Sequence, residues 1–164
     1  MSIYLYIVRH GEAEPMREHD EMRQLTEHGR WEAKRTALWL NTQVNQLDQV
    51  YVSPYIRAQQ TKDIILDMVQ SKRPCQVLDE LRPEGDAKSC MDYILALVES
   101  MERHTDSGDL NILCVSHMPL VSYLIGELTG YTPIMATAGV AKIRVDLDQW
   151  RGLLDTLLAP EQML

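Results

Sequence analysis

Between Ile3 and Val8 the chain carries no charge; IYLYIV is aliphatic or aromatic throughout and runs directly into Arg9-His10-Gly11. An apolar run without alternation suits a strand covered on both faces, which needs layers above and below it. In open α/β sheets ligands bind in the crevice beyond the carboxyl ends of the strands. Arg9 and His10 therefore stand where a site is expected, and Gly11 lets the backbone turn tightly there. A strand can also end in Arg-His-Gly for solubility and turning alone, so the remaining chain decides.

Strand and helix patterns alternate through most of that remainder. Glu12 to Arg23 has no apolar period and reads as a surface loop, with Glu12, Glu14, Glu18, Asp20 and Glu21 as a solvated acidic rim. From Leu25 to Val44 the spacing is helical, with Thr26 as the cap and Trp31, Ala37, Leu38, Trp39, Leu40 and Val44 on its apolar side. Gly29, early in that helix, either permits close packing or weakens the first turn. Gln49 to Ser53 predicts a second strand; Pro54 then fits the first turn of a helix that carries Arg57 near its start and buries Ile64, Ile65, Met68 and Val69. Gln76 to Leu78 predicts a short strand, Met91 to Arg103 a helix, Ser107 to Asp109 a turn, and Asn111 to Ser116 a buried strand that ends at His117. Met118-Pro119 opens a helix that Gly130 closes. Residues 136–148 then alternate as a half-exposed strand and 150–158 as its hairpin partner, across a turn at Trp150-Arg151-Gly152. The pattern predicts a single α/β domain over 1–164, in three layers: a mainly parallel sheet, helices on both faces and a C-terminal antiparallel hairpin.

Composition bounds the functions available. A chain of 164 residues with 45% hydrophobic and 24% charged residues suits one soluble domain with an ordinary core. A net charge of −8 argues against broad nucleic-acid binding, which rests on neutralising phosphates, yet it allows a small cationic pocket. Cys75, Cys90 and Cys114 are odd in number and lack a Cys-x-x-Cys pair, so packed thiols in a reducing compartment are expected rather than a disulfide framework or a zinc site. With no leader pattern and no run long enough to cross a bilayer, a cytoplasmic protein without membrane partners is expected. Trp150 or the terminal apolar segment could serve a dimer, but burial within the hairpin is the plainer reading, and a monomer is expected.

Arg9 and His10 after the first strand, Arg57 after the second and His117 after the 111–116 strand would meet at one sheet edge, since right-handed crossovers bring the strand ends together. Each has an ordinary explanation alone, although an arginine at a helix start runs against the macrodipole. Together, two guanidinium groups, two imidazoles and helix amino termini suit a tetrahedral oxyanion, above all a phosphoryl group. An imidazole can attack phosphorus to give a covalent phosphohistidine, and nearby arginines favour its neutral, nucleophilic form. Neither a metal nor another cofactor is required.

These blocks, with Leu25 to Gly29, Ser53-Pro54, Arg57-Ala58, Gln60-Thr61 and Ser116-His117, resemble the signature of the histidine phosphatase, or phosphoglycerate mutase-like, superfamily, in the family's order across most of the chain. The resemblance implies that His10 accepts the phosphoryl group and that Arg9, Arg57 and His117 form the phosphate pocket. Only Cys75 to Gly108 is available for the helical lid of larger members, so a minimal fold with a shallow, open site is implied. That feature, with RHGEA and Asp20, Arg23, Leu25 and Thr26, resembles the SixA-type phosphohistidine phosphatases. Their implied substrate is a phosphohistidine-bearing protein such as a histidine phosphotransfer domain or a phosphocarrier. Leu78-Asp79-Glu80 resembles the segment that carries the family's acid, making Glu80 the first candidate for proton donor, with Glu12 and Asp20 as alternatives; its other reading is a solvated carboxylate beside Arg82. Arg23 either touches the substrate phosphate or pairs with Asp20. A small-molecule phosphomonoesterase of the same superfamily and a noncatalytic phosphohistidine-binding regulator are the competing functions.

Overall fold

The computed structural model describes residues 2–16, 18–101 and 108–163. Its main elements are β1 (Ile3–Arg9), α1 (Glu27–Gln43), β2 (Gln49–Val52), α2 (Ile56–Leu66), β3 (Gln76–Val77), α3 (Ala87–Glu99), β4 (Leu110–Ser116), α4 (Leu120–Thr129), β5 (Val140–Asp146) and β6 (Arg151–Leu158). The six strands form one sheet in the order β3-β2-β4-β1-β5-β6. Neighbours from β3 to β1 pair in parallel, while β5 and β6 add an antiparallel hairpin. This is the expected single α/β domain, mainly parallel with a terminal hairpin.

The unbroken apolar run of β1 is explained by what covers it. Ile3, Leu5 and Ile7 pack into a core with Ile94 and Leu95 of α3 and Leu124 and Ile125 of α4. Tyr6 and Val8 face the other way, into a core with Leu40 of α1 and Ile65 of α2. Alternate residues of a strand point to opposite faces, so both sets must be apolar. Each such fully buried aliphatic side chain contributes about 1.5–3 kcal/mol. Three layers result, with β1 between β4 and β5 at the centre.

Thr26 caps α1 as expected, its hydroxyl accepting the Gly29 N–H. The buried face of α1 differs from the expected one. It consists of Gly29, Glu32, Ala33, Thr36, Ala37 and Leu40, while Trp31 and Leu38 are exposed. Small residues let the helix lie close to the sheet, and Trp31 instead stacks on His28 beneath the Arg35 guanidinium. Other boundaries shift for local reasons. Pro54 precedes α2, whose cap is Tyr55, and Met68 lies exposed beyond its end. The strand β5 begins at Val140 because Ala136 to Gly139 close a turn through the Gly139 N–H and the Ala136 carbonyl. Arg151 and Gly152 belong to β6, and Leu147 to Trp150 make the hairpin turn, with Trp150 at φ 58°. The helix expected to reach Arg103 ends at Glu99; Arg103 itself, like Ser107 of the expected turn, lies outside the described residues.

Between β3 and β4 the described residues hold one 3₁₀ turn, Asp79–Leu81, and α3, and they show no lid. No described helix is long and apolar enough to cross a membrane.

Gly29 settles its two readings in favour of close packing. A Cβ there would lie 2.0 Å from the Glu12 carbonyl oxygen, and one on Gly11 would lie 2.5 Å from the Gly29 carbonyl oxygen. The Arg-His-Gly turn is thus pressed backbone to backbone against the first turn of α1. Replacing a helical glycine by alanine ordinarily gains about 1 kcal/mol. Here Gly29→Ala is expected to lose about 1–3 kcal/mol through overpacking, read as a lower urea midpoint; an unchanged or raised midpoint contradicts the contact.

Candidate functional site

The carboxyl ends of β1, β2 and β4 lie side by side, and the residues leaving them build the site. Arg9 opposes Ser116 across the β1–β4 ladder, and Val52 opposes Val115 across β2–β4. Backbone pairing continues one residue further: the His10 N–H donates to the Ser116 carbonyl and the Ser53 N–H to the Val115 carbonyl. On the other side the segment before β5 holds the turn, because the His10 carbonyl accepts the Ala138 N–H and Arg9 Nη1 donates to the Met135 carbonyl at 2.8 Å.

His10 is 7% exposed, and its neighbours assign its tautomer. Nδ1 lies 2.7 Å from the Gly11 carbonyl oxygen. A carbonyl only accepts, so Nδ1 carries the proton. Nε2 accepts from Arg57 Nε at 3.3 Å, which requires its lone pair to be free. Burial is the main cause that lowers the His10 pKa, to about 3; the hydrogen bond to Gly11 opposes it, and the charges of Arg57, Arg9 and Arg23 add to it. The ring is neutral at physiological pH, with its nucleophilic nitrogen turned toward a guanidinium.

His117, 1% exposed, stands edge-on to His10 with centroids 5.0 Å apart. Burial again dominates in lowering its pKa, to about 2, followed by His10 and the arginines. Its Nε2 is 2.7 Å from Ser53 Oγ. Ser53 Oγ accepts the Tyr55 N–H and, as a hydroxyl, also has a proton to donate to Nε2. With this assignment Nδ1–H of His117 is a donor, and it is buried without a partner among the described residues, as is Arg9 Nε. Buried donors left unpaired are costly. Two of them around a buried nucleophile fit a site built for an anion.

Arg57, the second residue of α2, reaches the pocket with Nε on His10 and spends its other nitrogens on the 3₁₀ turn Asp20–Met22. Nη1 donates to the Asp20 carbonyl at 2.8 Å and Nη2 to Asp20 Oδ2 at 3.2 Å. A guanidinium against the helix dipole is thereby balanced by a carboxylate. Burial raises the Asp20 pKa, but hydrogen bonds from Arg23 and Arg57 outweigh it, so the group stays below the ordinary carboxylate value.

Arg23 pairs with Asp20 Oδ1 at 2.9 Å and donates Nε to the Glu14 carbonyl. Glu80 is exposed on the 3₁₀ turn after β3, and among the described residues its carboxylate has no hydrogen-bond or ion-pair partner. Thus Arg9, His10, Arg57 and His117 converge, Arg23 stands behind Asp20, and Glu80 stands apart from these contacts. Three contributors went unrecognised in the sequence. Tyr55 lies against both His117 and Arg57. Thr137 and Glu32 hydrogen-bond each other at 2.8 Å beside the Arg-His-Gly turn. Glu32 had a signal: it is the charged residue at the spacing of Gly29, Ala33, Thr36 and Leu40.

Glu12, His28 and Glu32 are the described side chains whose ligand atoms, within 4.8 Å of one another, could share a cation. Two of the three are exposed, and both Glu32 oxygens already accept hydrogen bonds, from the Glu12 N–H and the Thr137 hydroxyl. A surface hollow of about 620 Å³ beside Ser2, Arg144 and Arg151 lies at the far end of the strands, remote from the histidines.

The family model of the histidine phosphatase superfamily (branch 1) matches residues 5–86. Phosphohistidine phosphatase SixA of Escherichia coli (strain K12) is 37% identical over 144 residues, covering 87% of this chain and 85% of the relative. The SixA homolog of Haemophilus influenzae is 35% identical over 133 residues, 77% of each chain. A solved structure of the protein histidine phosphatase SixA complexed with tungstate superimposes with a TM-score of 0.86 at 31% identity, over 98% of this chain and 99% of that one. The pairing of a buried Arg-His-Gly turn with these matches decides the family: the chain belongs to the histidine phosphatase superfamily, branch 1.

Proposed function

We propose that the protein is a protein phosphohistidine phosphatase that works through a covalent phosphohistidine on His10. The observation that carries this reading is the tautomer of His10, with Nδ1–H committed to Gly11 and Nε2 unprotonated, its lone pair accepting from Arg57 Nε. The names and similarity of the SixA proteins support the substrate class. In the first step Nε2 attacks phosphorus in line, the bond from phosphorus to the substrate imidazole breaks, and that imidazole leaves with a proton. Water then attacks phosphorus, the bond to Nε2 breaks, and inorganic phosphate departs. Arg9, Arg57 and His117 stabilise the charge on the equatorial oxygens.

A phosphorylated imidazole becomes a good leaving group once its ring is protonated, so the demand on an enzyme acid is small. Asp20, nearest to Arg57, is held ionised; Glu80 remains the candidate donor, its exposed carboxylate free to meet a docked substrate. Arg23 would act on the phosphate through Asp20. The absence of a lid among the described residues supports a protein substrate. So do Met22 and Ile134, exposed apolar side chains on the two segments that hold Arg57 and Arg9. A histidine phosphotransfer domain or a phosphocarrier would present its phosphohistidine to such a rim. A monomer in a reducing cytoplasm is the setting proposed, in keeping with three free cysteines.

The decisive experiment is release of inorganic phosphate from a radiolabelled phosphohistidine domain. The protein is expected to release it and to carry acid-labile, alkali-stable label in transit, and His10→Ala is expected to do neither. Equal release by both sinks the proposal, and tight binding without release favours the regulator. Higher kcat/KM on sugar phosphates than on the phosphoprotein moves the activity to the small-molecule class.

The depressed pKa of His10 sets the pH dependence. The neutral form persists above a pKa of about 3, and kcat/KM reports groups of the free enzyme. Between pH 5 and 8 His10 should therefore impose no acid limb. A fall in kcat/KM with an apparent pKa near the ordinary histidine value of about 6.5, in a variant series that traces it to His10, contradicts the burial described.

A further inference from the structure

We propose that Glu32 is a positioning residue that acts on His10 through the peptide unit joining Gly11 to Glu12. The inference rests on His10 being the nucleophile. The carbonyl of that peptide accepts His10 Nδ1–H at 2.7 Å, and the N–H of the same peptide donates to Glu32 Oε1 at 2.8 Å. A peptide unit is a single conjugated system. Drawing on its N–H with a carboxylate shifts electron density to its oxygen, and chains of hydrogen bonds strengthen one another in this way. The imidazole, the peptide and the carboxylate thus form a relay that holds the ring tautomer, enriches Nε2 and offsets the positive charge the ring gains when Nε2 takes the phosphoryl group.

Hydrogen bonding alone does not account for a charge at this position. Glu32 is 3% exposed, and its second oxygen accepts the Thr137 hydroxyl. A glutamine could make both contacts, since its amide oxygen accepts from Glu12 and its amide donates to Thr137. Burying a carboxylate is expensive without full compensation. His28, the nearest cation-forming side chain to Glu32, is largely exposed and 3.6 Å away. The compensation lies in the site: Glu32 also raises the Arg9 pKa against the lowering effect of burial. The backbone is too tightly set to let the peptide turn away, since Gly11 N–H donates to Thr61 Oγ1 and the Glu12 carbonyl accepts the Thr26 N–H.

The test uses the full chain, ¹⁵N-labelled in histidine, and reads the His10 ring in the resting protein together with single-turnover phosphorylation. The unmodified protein is expected to show Nδ1–H, with that proton far downfield. Glu32→Gln is expected to move it upfield and to slow phosphoenzyme formation about tenfold, equivalent to about 1.4 kcal/mol, with little change in KM. Asp48→Asn removes another buried carboxylate, at the opposite end of the sheet, where Asp48 pairs with Lys72 and accepts the Asn111 N–H; it is expected to leave the His10 signal and rate unchanged. An unmoved Nδ1–H resonance in a folded Glu32→Gln protein overturns the relay, as does an equal displacement in Asp48→Asn. If Glu32→Gln does not fold, an Nε2–H tautomer in the unmodified protein overturns it. Should the unmodified protein transfer no phosphoryl group, the proposed function fails, while the ring resonance still decides the relay.

Discussion

Everything at the site depends on β1 and β4 being parallel neighbours that end at the same level. Arg9 stands opposite Ser116, and β2 joins β4 with Val52 opposite Val115. Three segments far apart in sequence therefore release their next residues, His10, Ser53 and His117, at one height on one edge. The backbone ladder extends one residue beyond the strands, so His10 and Ser53 are fixed by β4 rather than by their side chains. A slip of one residue in either pairing would exchange the two faces of the strand and bury the wrong set against α1 and α2. The core thus specifies the register, and the register specifies the pocket.

Electrostatics then follows from burial. Two imidazoles and a guanidinium lie almost wholly out of water, and low solvation penalises their charged forms. The histidines answer by remaining neutral. Arg57 gains an ion pair with Asp20, while Arg9 is partly supported by the field of Glu32. Each acid approaches from a different element, a 3₁₀ turn in one case and α1 in the other. A chain acidic as a whole can in this way hold a small cationic site.

The fold was legible because its signals are local and strong: an apolar strand, a capped helix, a proline-marked helix start and an alternating hairpin. The four pocket residues were legible because they cluster where such strands end: Arg9 closes β1, His10 and His117 follow β1 and β4, and Arg57 lies in the first turn of the helix after β2. Misreadings arose where the deciding partner is distant in sequence. Trp31 and Leu38 match helical spacing, but the small residues Gly29, Ala33 and Ala37 seat α1, a choice made by the backbone of Glu12 and visible only in three dimensions. Pro54 fits a helix start, yet the cap falls one residue later at Tyr55, whose ring is held by His117 and Arg57. The acidic loop reads as a solvated rim because nothing in its own pattern announces that Arg57 will reach it.

That last contact changes how affinity at the site should be counted. Arg57 enters the pocket with its outer nitrogens already bonded to the carbonyl and carboxylate of Asp20. Of the five guanidinium N–H groups, these bonds and the one to His10 use three among the described residues, which leaves two for the oxygens of an incoming anion. The arginine's contribution to binding is consequently one of preorganisation: Asp20 fixes the fork before the anion arrives, so little side-chain freedom is lost when it binds. When the anion leaves, the same Asp20 contacts keep the fork in place for the next one.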